Sequence, residues 1–301
     1  MDAAAYHDRR RFANTPFGKI AYVERGSGPV ALFVHGYPLN GYQWRDIIEQ
    51  LADLRRCIAV DLMGAGYTRT ALDQDVSCPA QARMIAALLD ALNIDQVDLV
   101  GNDSGSAVSQ IFAARNASRL RSLTLTNSVV HDQWPPPALV WLVDAARRGT
   151  YKIRLKRLLG DLGQFRANLG HVFERPERLT DETLLTYYEP FVASEASGQN
   201  LERFIISIKA RHTVEIEAQL RELCVPTLIM WGTGDTIFPL KSAYWLKAAL
   251  PGARQVIELP GAKVWFPEEY PEFVSEKLRE HWGRGPNAAL TPAGTRGRSR
   301  S

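Results

Sequence analysis

The sequence predicts an α/β protein: a mostly parallel, doubly wound sheet with a helical cap inserted after the sixth strand. Three observations carry this. Short apolar runs alternate with helical stretches from residue 30 to residue 126, a block without strand-like runs follows from His131 to about Ala218, and strand-like runs resume at Thr227. An insertion that interrupts the alternation belongs to one domain and sits as a lid over the strand ends, where open α/β sheets form their pockets.

The elements follow in order. Residues 11–13 and 19–24 read as two strands around the turn Thr15-Pro16-Phe17-Gly18, a hairpin signal. Buried parallel strands are expected at 30–34, 57–60, 97–100, 123–126, 227–231 and 256–259, each a short, near-continuous apolar run. Helical segments at 44–54 and 80–92 lie between the first three of these, which is the βαβ pattern. Within the insertion, helical periodicity appears at 139–148, 153–159, 183–188 and 201–209. The expected division is a core of 1–130 and 219–283 and a cap of 131–218. From residue 284 to 301 the chain turns to Gly, Pro, Ala, Thr, Arg and Ser without periodicity, so a disordered tail is expected.

Composition excludes several function classes. The 301 residues carry a formal charge of only +3, part of it in the tail, so neither nucleic acid nor an anionic membrane is expected as a partner. Cys57, Cys78 and Cys224 are far apart and form no C-x-x-C pair. No apolar leader and no membrane-spanning run is visible, which leads to the expectation of a soluble, cytoplasmic protein. No metal-ligand spacing, phosphate-cradling glycine loop or dinucleotide fingerprint occurs, so no cofactor or metal is expected. A small hydrophobic molecule is the expected partner, and a homodimer is left open.

The sharpest chemical feature is Val97-Asp98-Leu99-Val100-Gly101-Asn102-Asp103-Ser104-Gly105, a strand entering a tight turn with glycines two residues either side of Asp103. A nucleophile elbow needs small flanking residues because strand and helix approach closely and the central residue is held at strained angles. Centring the elbow on Ser104 would put Asn102 and Ser106 at the flanks and break that rule. The same residues also suit a plain turn with a helix cap. Two further turns stand beside it: His35-Gly36-Tyr37-Pro38 after the first buried strand, and Asp61-Leu62-Met63-Gly64-Ala65-Gly66 after the second.

With its HGxP turn, DxxGxG turn and G-x-D-x-G elbow, the chain resembles the α/β-hydrolase superfamily, in its branch of haloalkane dehalogenases and epoxide hydrolases. The resemblance covers residues 28–282 and implies the α/β-hydrolase fold with a helical cap. It implies that Asp103 is the nucleophile, attacking carbon to form an alkyl ester that water then hydrolyses. The backbone N–H groups of Tyr37 and Ser104 carry over as the oxyanion hole, and Asp235 as the acid that orients a histidine. His35 is read as scaffold.

The sequence departs from that branch at the base. A histidine is expected in a stretch like G-A-x-H-F-P-x-E-x-P, but here the residues are Gly261-Ala262-Lys263-Val264-Trp265-Phe266-Pro267-Glu268-Glu269-Tyr270-Pro271. The slot holds Trp265 or Val264, depending on which end is aligned, and neither can accept a proton. Of the remaining histidines, His131 and His212 are the candidates for the pocket, and His171 is set aside as a cap residue. Trp134, Pro135, Pro136, Pro137, Leu139, Trp141 and Leu142 are expected in an apolar lining, and Tyr151, Tyr187 and Tyr188 are the cap tyrosines that could reach a substrate oxygen.

Three functions follow. The first is a non-hydrolytic or atypical enzyme, catalysing cyclisation, isomerisation, elimination or acid/base ring chemistry, with Asp103 in the pocket. The second is an epoxide hydrolase or haloalkane dehalogenase with a displaced base. The third is a ligand-binding protein without turnover.

Overall fold

The computed structural model describes residues 1–283; the tail expected to be disordered lies outside the described residues. Eight strands form one sheet: β1 Arg10–Thr15, β2 Gly18–Arg25, β3 Val30–Val34, β4 Arg56–Val60, β5 Val97–Asp103, β6 Leu120–Ser128, β7 Thr227–Gly232 and β8 Ala253–Leu259. Their order is β1-β2-β4-β3-β5-β6-β7-β8. The β1–β2 and β2–β4 pairs are antiparallel and all others parallel.

All the expected strands are present, and the α/β-hydrolase fold is borne out. One expectation fails in detail: β8 is not buried, since Arg254, Gln255 and Glu258 are exposed along it. It is the edge of the sheet, where only one neighbour covers the strand and charged residues blunt the free edge.

The helices of the core are α1 Ala3–Asp8, α2 Arg45–Leu51, α3 Cys78–Ala91 and α4 Ser104–Arg115, with α12 Leu240–Ala249, α13 Phe266–Glu269 and α14 Pro271–Gly283 after the insertion. Between β6 and β7 stand α5 Val140–Arg147, α6 Tyr151–Leu158, α7 Leu162–Asn168, α8 Asp181–Val192, α9 Glu195–Ser207, α10 Arg211–Val214 and α11 Glu217–Glu222, with no strand among them. Among the helices outside the segments read as periodic are α1, α7, α10, α11, α12 and α13. Helix α1 is capped by Asp2, which accepts from the Ala5 N–H, and it buries Tyr6 edge-on against Tyr42 at 5.2 Å. Helix α7 is capped by Asp161, which accepts from the Gln164 N–H.

The sheet order fixes where a site can form. The chain steps from β3 to β4 on one side and then to β5 on the other, so the crossovers diverge between the C-terminal ends of β3 and β5. A crevice opens at such a switch point. Asp103 ends β5, and Tyr37 lies three residues past β3.

Among the described residues, no helix is long and apolar enough to cross a membrane, and no cluster of His, Cys, Asp and Glu could hold a metal ion.

Candidate active site

Asp103 sits at φ 54°, ψ −125°, in a region that side chains other than glycine rarely adopt. The glycines beside it explain how the turn is held. A Cβ on Gly105 would stand 2.3 Å from the His35 carbonyl oxygen, and one on Gly101 would stand 2.6 Å from Ser109 Oγ and 2.8 Å from the Gly105 oxygen. Helix α4 therefore starts packed directly on the end of β3, and the Asp103 side chain is forced up over the sheet. Gly36 gives the carboxyl its room, since a Cβ there would be 2.8 Å from Asp103 Oδ2.

Two donors converge on that oxygen. The Tyr37 backbone N–H donates to Asp103 Oδ2 at 3.1 Å, and the Trp265 indole N–H donates to the same oxygen at 3.3 Å. Asp103 is only 7 % exposed. Burial pushes its carboxyl up to about 7, with the charge of Asp235 adding to the rise, while Trp265, Tyr37 and the Ser104 N–H pull it back. A carboxyl balanced this way exchanges protons near neutral pH.

The loop that delivers Trp265 is tied to the elbow itself. Asn102 donates to the Val264 carbonyl at 2.8 Å and to Thr126 Oγ1 at 2.8 Å, and accepts from Gln43 at 2.7 Å. Trp265 packs edge-on against Phe173 of the insertion between β6 and β7 at 5.1 Å.

Asp235 follows β7. Its partners among the described residues are the Asn127 amide at 2.6 Å and the backbone N–H groups of Ile237 and Phe238 at 2.7 and 3.2 Å. Burial raises it to about 6 against these three donors. No imidazole is among those partners, so the orienting role that the resemblance implies has no recipient there. His35 is a prop: it bonds the Gly36 carbonyl through Nδ1 at 2.7 Å and accepts the Leu62 N–H on Nε2 at 3.0 Å. That arrangement fits a neutral ring, and burial lowers its pKa to about 4.

Above Asp103 lies a cavity of about 430 Å³. Its floor includes Asp103, Ser104, Tyr37 and Trp265, and Trp134, Leu139, Trp141 and Leu142 line it from the start of the insertion, whereas Pro135, Pro136 and Pro137, also expected there, are not in the lining. Tyr188 also lines it, its hydroxyl buried without a partner among the described residues, as is that of Ser104.

Three expected pocket residues lie elsewhere. His131 is taken up by Glu217, 2.9 Å from Nε2, and stacks on Trp245 at 4.8 Å. His212 is buried in α10, away from the cavity lining. Tyr187 donates instead to Glu268, which also receives a bidentate pair from Arg45 at 2.6 Å on each oxygen. This cluster joins α8 to the core just past Trp265. Because Arg45 and Glu268 are 12 % and 5 % exposed, Glu268→Gln leaves the buried guanidinium with only the more exposed Asp46 at 3.6 Å as a carboxylate partner; a loss of about 1.5–3 kcal/mol in urea unfolding is expected.

The residue that the sequence reading set aside is His171. It lines the cavity, and its Nδ1 lies 2.8 Å from the Asn168 carbonyl. A carbonyl only accepts, so Nδ1 carries the proton and Nε2 keeps its lone pair. Burial lowers its pKa, and Lys263 adds to the lowering. The available signal was the Asp161 cap of α7, which brings Asn168 and His171 onto the cavity wall.

Residues 29–270 match the alpha/beta hydrolase fold family over most of the chain. The chain belongs to that family. It is similar to haloalkane dehalogenase 2 of Mycobacterium tuberculosis, 26 % identical over 288 residues, covering 94 % of this chain and 98 % of that one. It is also similar to the cis-3-alkyl-4-alkyloxetan-2-one decarboxylase of Shewanella oneidensis, 27 % identical over 244 residues, covering 76 % of this chain and 74 % of that one. Among solved structures, an alpha/beta hydrolase fold protein from Burkholderia ambifaria superposes with a TM-score of 0.79 at 25 % identity, covering 90 % and 97 % of the two chains. By family and relatives, this chain is an α/β-hydrolase-fold enzyme related to haloalkane dehalogenases and to a decarboxylase.

Proposed function

We propose that this enzyme works without a cofactor on a medium-sized hydrophobic organic molecule, and that Asp103 acts as a general base in a reaction in which water is not consumed. Isomerisation, elimination and ring closure or opening are the reactions in this class. The observation that carries the reading is the company of the Asp103 carboxyl: an indole N–H and backbone N–H groups, with no imidazole among its partners. Trp265 stands in the stretch where the resemblance puts the water-activating histidine, and an indole cannot take a proton. With Tyr37 and Trp265 both donating to Oδ2, the proton passes through Oδ1. It is taken from the substrate and either returned at another carbon or kept while a leaving group departs. The relative named as a decarboxylase supports the reading that this fold accommodates outcomes other than hydrolysis.

A pH profile tests this on any substrate found in a panel of epoxides, haloalkanes, esters and lactones. Activity is expected to rise with pH through a single midpoint near 7, where Asp103 loses its proton. In Trp265→Phe the indole donor that favours the carboxylate is gone, so the midpoint moves up. An unmoved midpoint counts against the proposal.

A second reading, hydrolysis through an Asp103 alkyl ester with a displaced base, is favoured by two observations. His171 lines the cavity, and with Nδ1 bonded to the Asn168 carbonyl its Nε2 keeps a lone pair. The Tyr37 N–H donates to Asp103 Oδ2, an oxygen that would become the oxyanion during ester cleavage, and the Ser104 N–H favours the charged carboxyl.

A further inference from the structure

The net charge of +3 conceals a segregation. Residues 140–158, the α5–α6 hairpin, hold Arg147, Arg148, Lys152, Arg154, Lys156 and Arg157 against the single acid Asp144, a net charge of +5. Lys152 is neutralised by Glu195 and Glu202, and Arg147 faces Asp144 at 3.4 Å. Arg148, Arg154, Lys156 and Arg157 are exposed, and among the described residues they have no carboxylate partner.

The same hairpin carries three of the seven exposed large hydrophobic residues of the described chain, Val140, Trp141 and Ile153, at 45, 43 and 55 % exposure. Helical spacing aligns them with the cations: 140, 141, 144, 147 and 148 share one face of α5, and 153, 154 and 157 one face of α6. The patch is also continuous with the cavity. Trp141 and Arg154 are both exposed and both line it, and the guanidinium lies over the indole at 4.8 Å. Leu142, Tyr151, Leu155 and Leu158 line it from the inner side of the same two helices.

We infer that the outward face of the α5–α6 hairpin rests on an anionic lipid bilayer, so that the mouth of the cavity opens where an apolar substrate is dissolved. Basic side chains interleaved with tryptophan and aliphatic residues on a short helical surface match the headgroup region of such a membrane. No spanning helix is involved. A symmetric contact between two copies through this patch would set unpaired cations against their own image, which disfavours a second copy as its occupant. An acidic protein would satisfy the charges but would cover the entrance. The inference uses the apolar cavity of the proposed function and not its chemistry.

Flotation of the full chain with vesicles tests it, using phosphatidylcholine alone or mixed with phosphatidylglycerol, at low and high salt. At least about tenfold more protein is expected on the anionic vesicles, with binding weakened by salt. Reversing Lys156 and Arg157 together to Glu is expected to remove that excess, and Ile153→Ser to weaken it severalfold. None of the three lines the cavity, so turnover of a water-dissolved substrate stays unchanged. If the reversed variant does not fold, Arg148→Gln with Lys156→Gln provides the same comparison at smaller amplitude. Asp103→Asn floats like wild type, which separates this proposal from the catalytic one. Equal binding to both vesicle types, no binding, or a reversed variant that binds like wild type overturns it. So does a dimer that Ile153→Ser disrupts without any vesicle binding.

Discussion

Asp103→Asn is expected to lower turnover by about 10³-fold while making the protein more stable above neutral pH. The loss follows from removing the group that moves the proton while leaving the Tyr37 and Trp265 donors an oxygen to bond. The gain in stability follows from linkage. The Asp103 carboxyl is raised from an ordinary value near 3.8 to about 7, chiefly by burial. The folded state therefore holds a proton that the unfolded chain releases between those values. Its contribution to stability is full below about pH 4 and is lost as pH rises through 7. Asn carries no such term, so the variant should match wild type at pH 4 and exceed it at pH 8 by roughly 2–4 kcal/mol. Thermal unfolding at the two pH values, beside a turnover assay, checks both halves. A variant that loses activity and stability together would mean that Asp103 holds the elbow rather than acting in it.

Trp265→His should give the largest gain. Most parts of a hydrolytic site are already assembled: a carboxylate on a strained turn, the Tyr37 N–H donating to it, and a buried Asp235 close enough to raise Asp103 by its charge. Position 265, by contrast, holds an indole that cannot accept a proton. An imidazole there supplies a base, and hydrolysis of epoxides, haloalkanes or esters is expected to rise about 10²–10⁴-fold above the wild-type background. Adding Asp235→Asn should remove most of the gain, because the imidazole then loses its orienting carboxylate. No gain in Trp265→His would mean that position 265 does not stand in for the base.

The strands and the elbow were legible because each rests on local chemistry: apolar runs bounded by turns, and glycines where backbones nearly touch. Gly101 and Gly105 could be read as a pair because the close approach that demands them is part of the motif. The histidines could not be read this way. His131 and His212 looked well placed by chain position, yet side-chain partners far along the sequence decide where a ring points, and Glu217 lies 86 residues from His131. His171 is set aside in the sequence because it falls in the insertion, yet the short helix α7, whose signal is one capping aspartate rather than periodicity, precedes it on the cavity wall. Tyr187 left the pocket for Glu268, 81 residues away, a pairing no spacing announces. Net charge likewise hid the hairpin, since +5 on 19 residues is offset across the rest of the chain.

The central claim is that Asp103 moves a proton and water stays out of the product. It is tested most directly by turning over a substrate with wild-type enzyme in heavy-oxygen water, recording the product mass and the intact protein mass together. The account predicts a product without heavy oxygen and a protein without adduct. Heavy oxygen in the product, or an alkyl ester on the peptide bearing Asp103, would contradict it.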